Sequence, residues 1–227
     1  MSGPADHYHF ILPGNNRPSD AVINDPWYPG VQQFWETCTT KRSVDPIFGV
    51  VAVVIHATAG SSSAGAVSVM KRPKKDAASF HWLVPDEDEA QHGSLVWACA
   101  PEARAAWHVR NIASHPDVND GAKKVNHWSL GIEVVNAQKN DPFSSWQLEA
   151  TAQIVRYCWA KYPNLKHVVS HAKLDPTRRS DPGGHFDWGA FETLVLEGPH
   201  QDLPALVLKA KHLAKISATT DPACCQT

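Results

Sequence analysis

Ile47-Phe48-Gly49-Val50-Val51-Ala52-Val53-Val54-Ile55, closed by His56, is an unbroken apolar stretch rich in β-branched residues. No polar residue alternates with the apolar ones, so it reads as a strand buried on both faces. The loop Ala57 to Ser62 follows, and Ser63 to Met70 predicts a helix stopped by Pro73. Working outward, Ser79 to Val84, Leu95 to Ala98, Ser129 to Val135 and Lys166 to Ser170 read as further strands. The clearest helix runs from Ser145 to about Lys161. Ser144 and Gln147 have capping-box spacing there, and Leu148, Thr151, Val155, Cys158 and Tyr162 recur at helical intervals before Pro163. Asp187 is placed to cap a helix through Leu196, and an amphipathic helix is expected after Pro204. Strands alternating with helices predict an α/β fold, a central mixed β-sheet flanked by helices. Residues 1–45 show no periodicity and read as an irregular extension, with one short helix around Gln32 to Cys38.

Bulk properties narrow the function classes. Of the 227 residues 43% are hydrophobic and 19% charged, which supports a packed core and argues against global disorder. The formal charge of -2 gives no reason to expect nucleic acid as a partner. Five cysteines without a Cys-x-x-Cys pair argue against both a disulfide scaffold and a cysteine-rich zinc knuckle. Cys99 and Cys158 sit in apolar surroundings and read as core residues; Cys224 and Cys225 are assigned no role. Met1 to Phe10 lacks a basic segment followed by an apolar one, so no classical secretory signal is read, and no apolar run is long enough to span a bilayer.

Thirteen histidines need separating. His7, His9, His92, His115, His167, His200 and His212 read as surface or hydrogen-bonded residues, and His127 carries no assignment. His56 and His171 differ, because each directly follows a buried strand and a third candidate, Asp181, lies in the loop after the second. Ligands gather at strand ends in such sheets. Hydrolytic zinc takes three imidazole or carboxylate ligands and leaves one position open, whereas a structural site is closed by four. From residue types alone, a hydrogen-bonded His/Asp loop without metal stands equally beside that reading.

A family resemblance separates the two. Val53-Val54-Ile55-His56-Ala57-Thr58 resembles the first zinc-ligand motif of the type 2 N-acetylmuramoyl-L-alanine amidases, the superfamily of phage lysozyme-type amidases, cell-wall recycling amidases and peptidoglycan recognition proteins. Ser79-Phe80-His81-Trp82-Leu83-Val84 is similar to the second strand motif, and Ala106-Trp107-His108 to the Ala-Trp-His segment. Asn126 to Glu133 resembles the Asn-x-x-Ser-Ile-Gly-Ile-Glu signature, and Ser170-His171 through Asp181-Pro182-Gly183 the last block, with Trp188 beyond. The ordered set carries more weight than any single block. It implies zinc in a surface groove, an amidase domain over 46–198, and 199–227 as a C-terminal helix and tail.

The resemblance also implies roles. His56, His171 and Asp181 align with the metal ligands, and Glu133 with the acidic residue that handles the proton of the attacking water. Arg179 stands where the family usually has lysine; a guanidinium stays charged and can stabilise an oxyanion but cannot shuttle protons. His81, His108 and Asn126 are the expected substrate-binding residues, Asn126 bracing the groove. The implied reaction is zinc-dependent hydrolysis of the amide between N-acetylmuramic acid and L-alanine in peptidoglycan or muropeptides. The alternatives are a non-catalytic peptidoglycan-binding module, which usually lacks a ligand, and a zinc hydrolase of another amide. The chain is expected to be made in the cytoplasm, acting there on wall fragments or reaching the wall by lysis or a dedicated secretion route. An immunity or delivery partner would fit the second case.

Overall fold

The computed structural model describes residues 7–15, 17–18, 38–89, 96–138 and 141–198. Among the described residues, eight strands form two sheets. In chain order they are β1 (His9–Ile11), β2 (Thr39–Lys41), β3 (Ala52–Ala57), β4 (Trp82–Val84), β5 (Trp97–Ala98), β6 (Arg104–Ala106), β7 (Ser129–Val134) and β8 (His167–Ser170). The main sheet has the order β1-β8-β3-β7-β4-β5, and β2 pairs with β6 beside it. Strand β3 is parallel to both β7 and β8, β4 is parallel to β7, and the edge strands β1 and β5 run antiparallel. This is the expected mixed sheet.

Helices α1 (Ser63–Met70), α2 (Ser145–Lys161), α3 (His171–Leu174) and α4 (Trp188–Glu197) complete the fold. The Ser144 hydroxyl accepts from the Gln147 amide and the Gln147 side chain accepts from the Ser144 amide, so the α2 capping box forms as predicted. Asp187 caps α4 by accepting from the Ala190 amide. Because side chains alternate across a strand, Val53 and Ile55 of β3 face one layer and Ala52 and Val54 the other. The first layer is filled by α2 and α4 through Leu148, Val155, Trp159, Phe191 and Val195. The second is covered by Val109, Val125, Trp128 and Leu174, from the segment before β7 and from α3. Cys99 and Cys158 are fully buried in the core, as expected. Among the described residues, no helix is long and apolar enough to cross a membrane.

Three expectations are corrected. The strand expected from Ile47 begins only at Ala52, because the Asp45 carboxylate accepts the amides of Ile47 and Phe48 and bends the chain into a turn. Gly49 is required in that turn: a Cβ there would lie 2.5 Å from the Val44 side chain and 2.6 Å from the Asp45 carbonyl. Phe48 is left 61% exposed, so its place in the apolar run misleads. The first 45 residues, expected to be irregular, supply β1 and β2, three-residue strands that only pairing with β8 and β6 defines. The strand read from Ser79 starts at Trp82. The helix expected near residue 32, apart from Cys38, and the one after Pro204 lie outside the described residues.

Candidate metal centre and cavity

Strands β3, β7 and β8 end together, and their C-terminal ends carry the candidate site. His56 and Glu133 are cross-strand partners in the β3–β7 ladder, so both side chains leave the same face. The chain turns directly from β8 into α3 at His171, with the Ser170 hydroxyl accepting from the Lys173 amide. Asp181 returns from the following loop, held where the Ala172 amide donates to the Asp181 carbonyl.

The three donors converge. His56 Nδ1 lies 2.9 Å from His171 Nδ1, Asp181 Oδ2 is 2.9 Å from His171 Nδ1 and 3.3 Å from His56 Nδ1, and all three residues are buried. Metal–ligand bonds of about 2.0–2.1 Å in a tetrahedron set neighbouring ligand atoms about 3.3 Å apart. The observed triangle is close to that spacing, so these residues could hold a metal ion. Burial, and next the neighbouring His171, push His56 down to about 4 against the pull of Asp181; its imidazole is therefore neutral near pH 7, with a free lone pair. Burial alone would raise Asp181, but the neighbouring His171 and His56 rings outweigh it and hold the carboxyl well below its usual range.

Glu133, His108 and Arg179 join the three in lining a cavity of about 400 Å³. Burial first, then the charge of Asp181, raises the Glu133 carboxyl well above the usual range, with Arg179 opposing. A carboxyl raised in this way takes up a proton more readily than an ordinary one, as general acid–base work requires. Arg179 is exposed on the loop leading to Asp181, and its neighbour Arg178 also lines the cavity.

Two of the residues expected to bind substrate lie away from the cavity. His81 does not line the cavity: it is fully buried, accepts from the Gly131 amide at Nδ1, and lies 3.0 Å from the Arg104 carbonyl at Nε2. Asn126 does not line it either. Its Oδ1 accepts from the amides of His108 and Val109 and its Nδ2 donates to the Val109 carbonyl. Asn126 thereby fixes the segment that carries His108.

Two supporting groups escape the sequence reading. Arg42 is buried and donates to the carbonyls of Glu102, Asn126, His127 and Ser129, tying the segment before β7 in place. Arg110 makes a two-pronged bond to Asp175, at 2.7 and 2.5 Å, and so clamps the His108 segment to the loop bearing Asp181. Neither residue belongs to a recognisable spacing; each finds partners distant in the chain. The hydrogen bond from Arg110 holds the Asp175 carboxyl below its usual range, against opposing burial. A carboxyl depressed on folding stabilises the fold above its unfolded pKa of about 3.9, and that contribution is lost as pH falls through the lower folded pKa. Removing the clamp by Arg110→Ala should lower stability at pH 7, by thermal or urea unfolding, with the difference shrinking below about pH 4. An equal cost at pH 2 and pH 7 would show that the pair's charge contributes nothing.

The profile of the N-acetylmuramoyl-L-alanine amidase family matches residues 48–184. The chain is similar to the N-acetylmuramoyl-L-alanine amidase AmiD of Escherichia coli (strain K12), 30% identical over 160 residues, 66% of this chain and 55% of AmiD. It is also similar to the 1,6-anhydro-N-acetylmuramyl-L-alanine amidase AmpD of Citrobacter freundii, 27% identical over 104 residues, 45% of this chain and 52% of AmpD. The chain thus spans about half the length of these relatives. Among solved structures, E. coli AmiD in complex with anhydro-N-acetylmuramic acid-L-Ala-D-γ-Glu-L-Lys superposes with a TM-score of 0.54 at 26% identity, over 70% of this chain and 66% of that one. A selenomethionine AmpD structure shares the fold, with a TM-score of 0.57 at 20% identity over 77% of this chain and 99% of that one.

Proposed function

Because this chain belongs to the N-acetylmuramoyl-L-alanine amidase family, we propose that it hydrolyses the amide between the lactyl group of N-acetylmuramic acid and L-alanine, with His56, His171 and Asp181 holding a zinc ion. The observation that carries this reading is the triangle of two imidazole nitrogens and a carboxylate oxygen beside Glu133 in one cavity. When bound, zinc would supply Lewis acidity, polarising a carbonyl and acidifying water towards about pH 7. Water adds across the amide C–N bond, leaving a carboxylate on the lactyl group and an amine on L-alanine. Glu133 takes the proton the water loses and delivers it to the departing nitrogen. Arg179, fixed in charge at the cavity wall, offsets the negative charge that builds on the carbonyl oxygen.

AmpD is named for 1,6-anhydro-muramyl substrates, and the AmiD complex contains an anhydro-muramyl peptide. Soluble anhydro-muropeptides are therefore the first substrates to offer and intact sacculi the second. Purified protein incubated with anhydro-muropeptide should release a free stem peptide beginning at L-alanine, detected by mass spectrometry. A chelator should stop release and added zinc restore it. Cleavage between sugars, or peptide release indifferent to chelator, would sink the proposal.

A further inference from the structure

His108 has no part in the chemistry above, yet its ring reaches the outer nitrogen of His56. We propose that Ser129 and His108 form a one-way hydrogen-bond relay that presets the tautomer of His56 and aims its Nδ1 lone pair at the metal position. They are positioning residues, and the inference rests on the metal-holding reading of His56, His171 and Asp181.

The direction of the relay follows from its far end. The Val125 carbonyl can only accept, and Ser129 Oγ lies 2.8 Å from it, so the single hydroxyl proton is committed there. Ser129 Oγ must then accept from its other neighbour, His108 Nε2, at 3.3 Å. A neutral imidazole carries one N–H, so a proton on His108 Nε2 leaves its Nδ1 bare. That atom is 2.9 Å from His56 Nε2, which must therefore donate. His56 is left with an unprotonated Nδ1, the atom facing His171 and Asp181. Reversing any member would set two protons or two lone pairs against each other.

The fold holds this geometry rigidly. His108 is buried, and its backbone amide is pinned by Asn126. The ring crosses that of His56 at 88° and packs closely against β7 at Gly131. A Cβ at Gly131 would sit 2.7 Å from His108 Cγ and 2.8 Å from its Nδ1, so only glycine leaves room. The second imidazole ligand lacks such support, since His171 Nε2 is buried without a partner among the described residues. The relay therefore prepares one ligand of the pair, in the way that outer hydrogen bonds orient metal-ligating histidines generally.

The test uses the full chain labelled with ¹⁵N-histidine. In metal-free protein, long-range ¹H–¹⁵N spectra should show His56 with its proton on Nε2. Ser129→Ala should release the restraint, giving mixed tautomers at His56 and zinc binding weaker by about 10–100-fold in competition with a chelator. A wild-type His56 protonated on Nδ1 overturns the relay, as does a folded Ser129→Ala protein with undiminished zinc affinity. Should the variant fail to fold, the wild-type spectrum alone decides. If His56 carries its proton on Nε2 but the wild-type protein binds no zinc, the metal-holding reading fails and the relay geometry stands.

Discussion

Asp181→Ala should purify as a folded protein that binds zinc too weakly to keep it and releases no stem peptide. Asp181 is the only charged donor of the three, and it closes the triangle with His56 and His171. Structural zinc sites with four ligands are worth about 10–16 kcal/mol, or about 3 kcal/mol per ligand, so losing one should weaken binding by about 10²–10³-fold. Both histidines are already buried, so neither can swing out to water to compensate. Asp181→Asn keeps the volume and an oxygen but not the charge, and should fall between the variant and the wild type. Zinc content after dialysis, measured beside thermal unfolding, checks the prediction. A folded Asp181→Ala protein with one tightly held zinc and normal turnover would remove Asp181 from the ligand set.

Glu133→Gln should do the opposite: keep zinc and lose turnover by about 10²–10⁴-fold, the usual contribution of a general acid–base group. Its amide preserves shape and cannot take a proton from water. The same substitution should stabilise the metal-free protein. A carboxyl whose folded pKa is raised favours folding at low pH, and that advantage is lost as pH rises from its unfolded value of about 4.3 through the folded one. Glutamine carries no such penalty. The melting temperature of the variant should therefore match the wild type near pH 4 and exceed it increasingly at higher pH. Stability gained where activity is lost is expected of a charge buried for chemistry rather than for folding. Arg179→Ala should lower turnover by about 10²–10³-fold without changing zinc content. If Glu133→Gln works at the wild-type rate, the proton is handled elsewhere.

The residues that were legible share a trait: each is announced by its neighbours in the chain. His56 and His171 stop buried strands, Glu133 is a charge between Ile132 and Val134, and Asp181 follows in a motif of fixed order. Helices α1, α2 and α4 were legible for the same reason, since caps and periodicity are local. His81 and Asn126 show the limit. Both lie in recognisable motifs, yet a motif does not say which way a side chain points. His81 turns inward to the Gly131 amide and Asn126 spends its amide on the His108 segment. The turn at Asp45 and the strands β1 and β2 were misread because three paired residues, or one carboxylate accepting two amides, leave no periodic trace.

From sequence alone came the mixed sheet, the donor types and their order along the chain, because patterning and strand-end placement are properties of a segment and its immediate flanks. Tertiary structure decided which of the described histidines share a space and which atoms face one another. His56, His108 and Ser129 lie 52 and 21 residues apart along the chain, and only their contact in the fold, ending on the Val125 carbonyl, sets every proton between them in one direction. Hydrogen bonds have a donor and an acceptor, so that direction exists only once both ends are in contact.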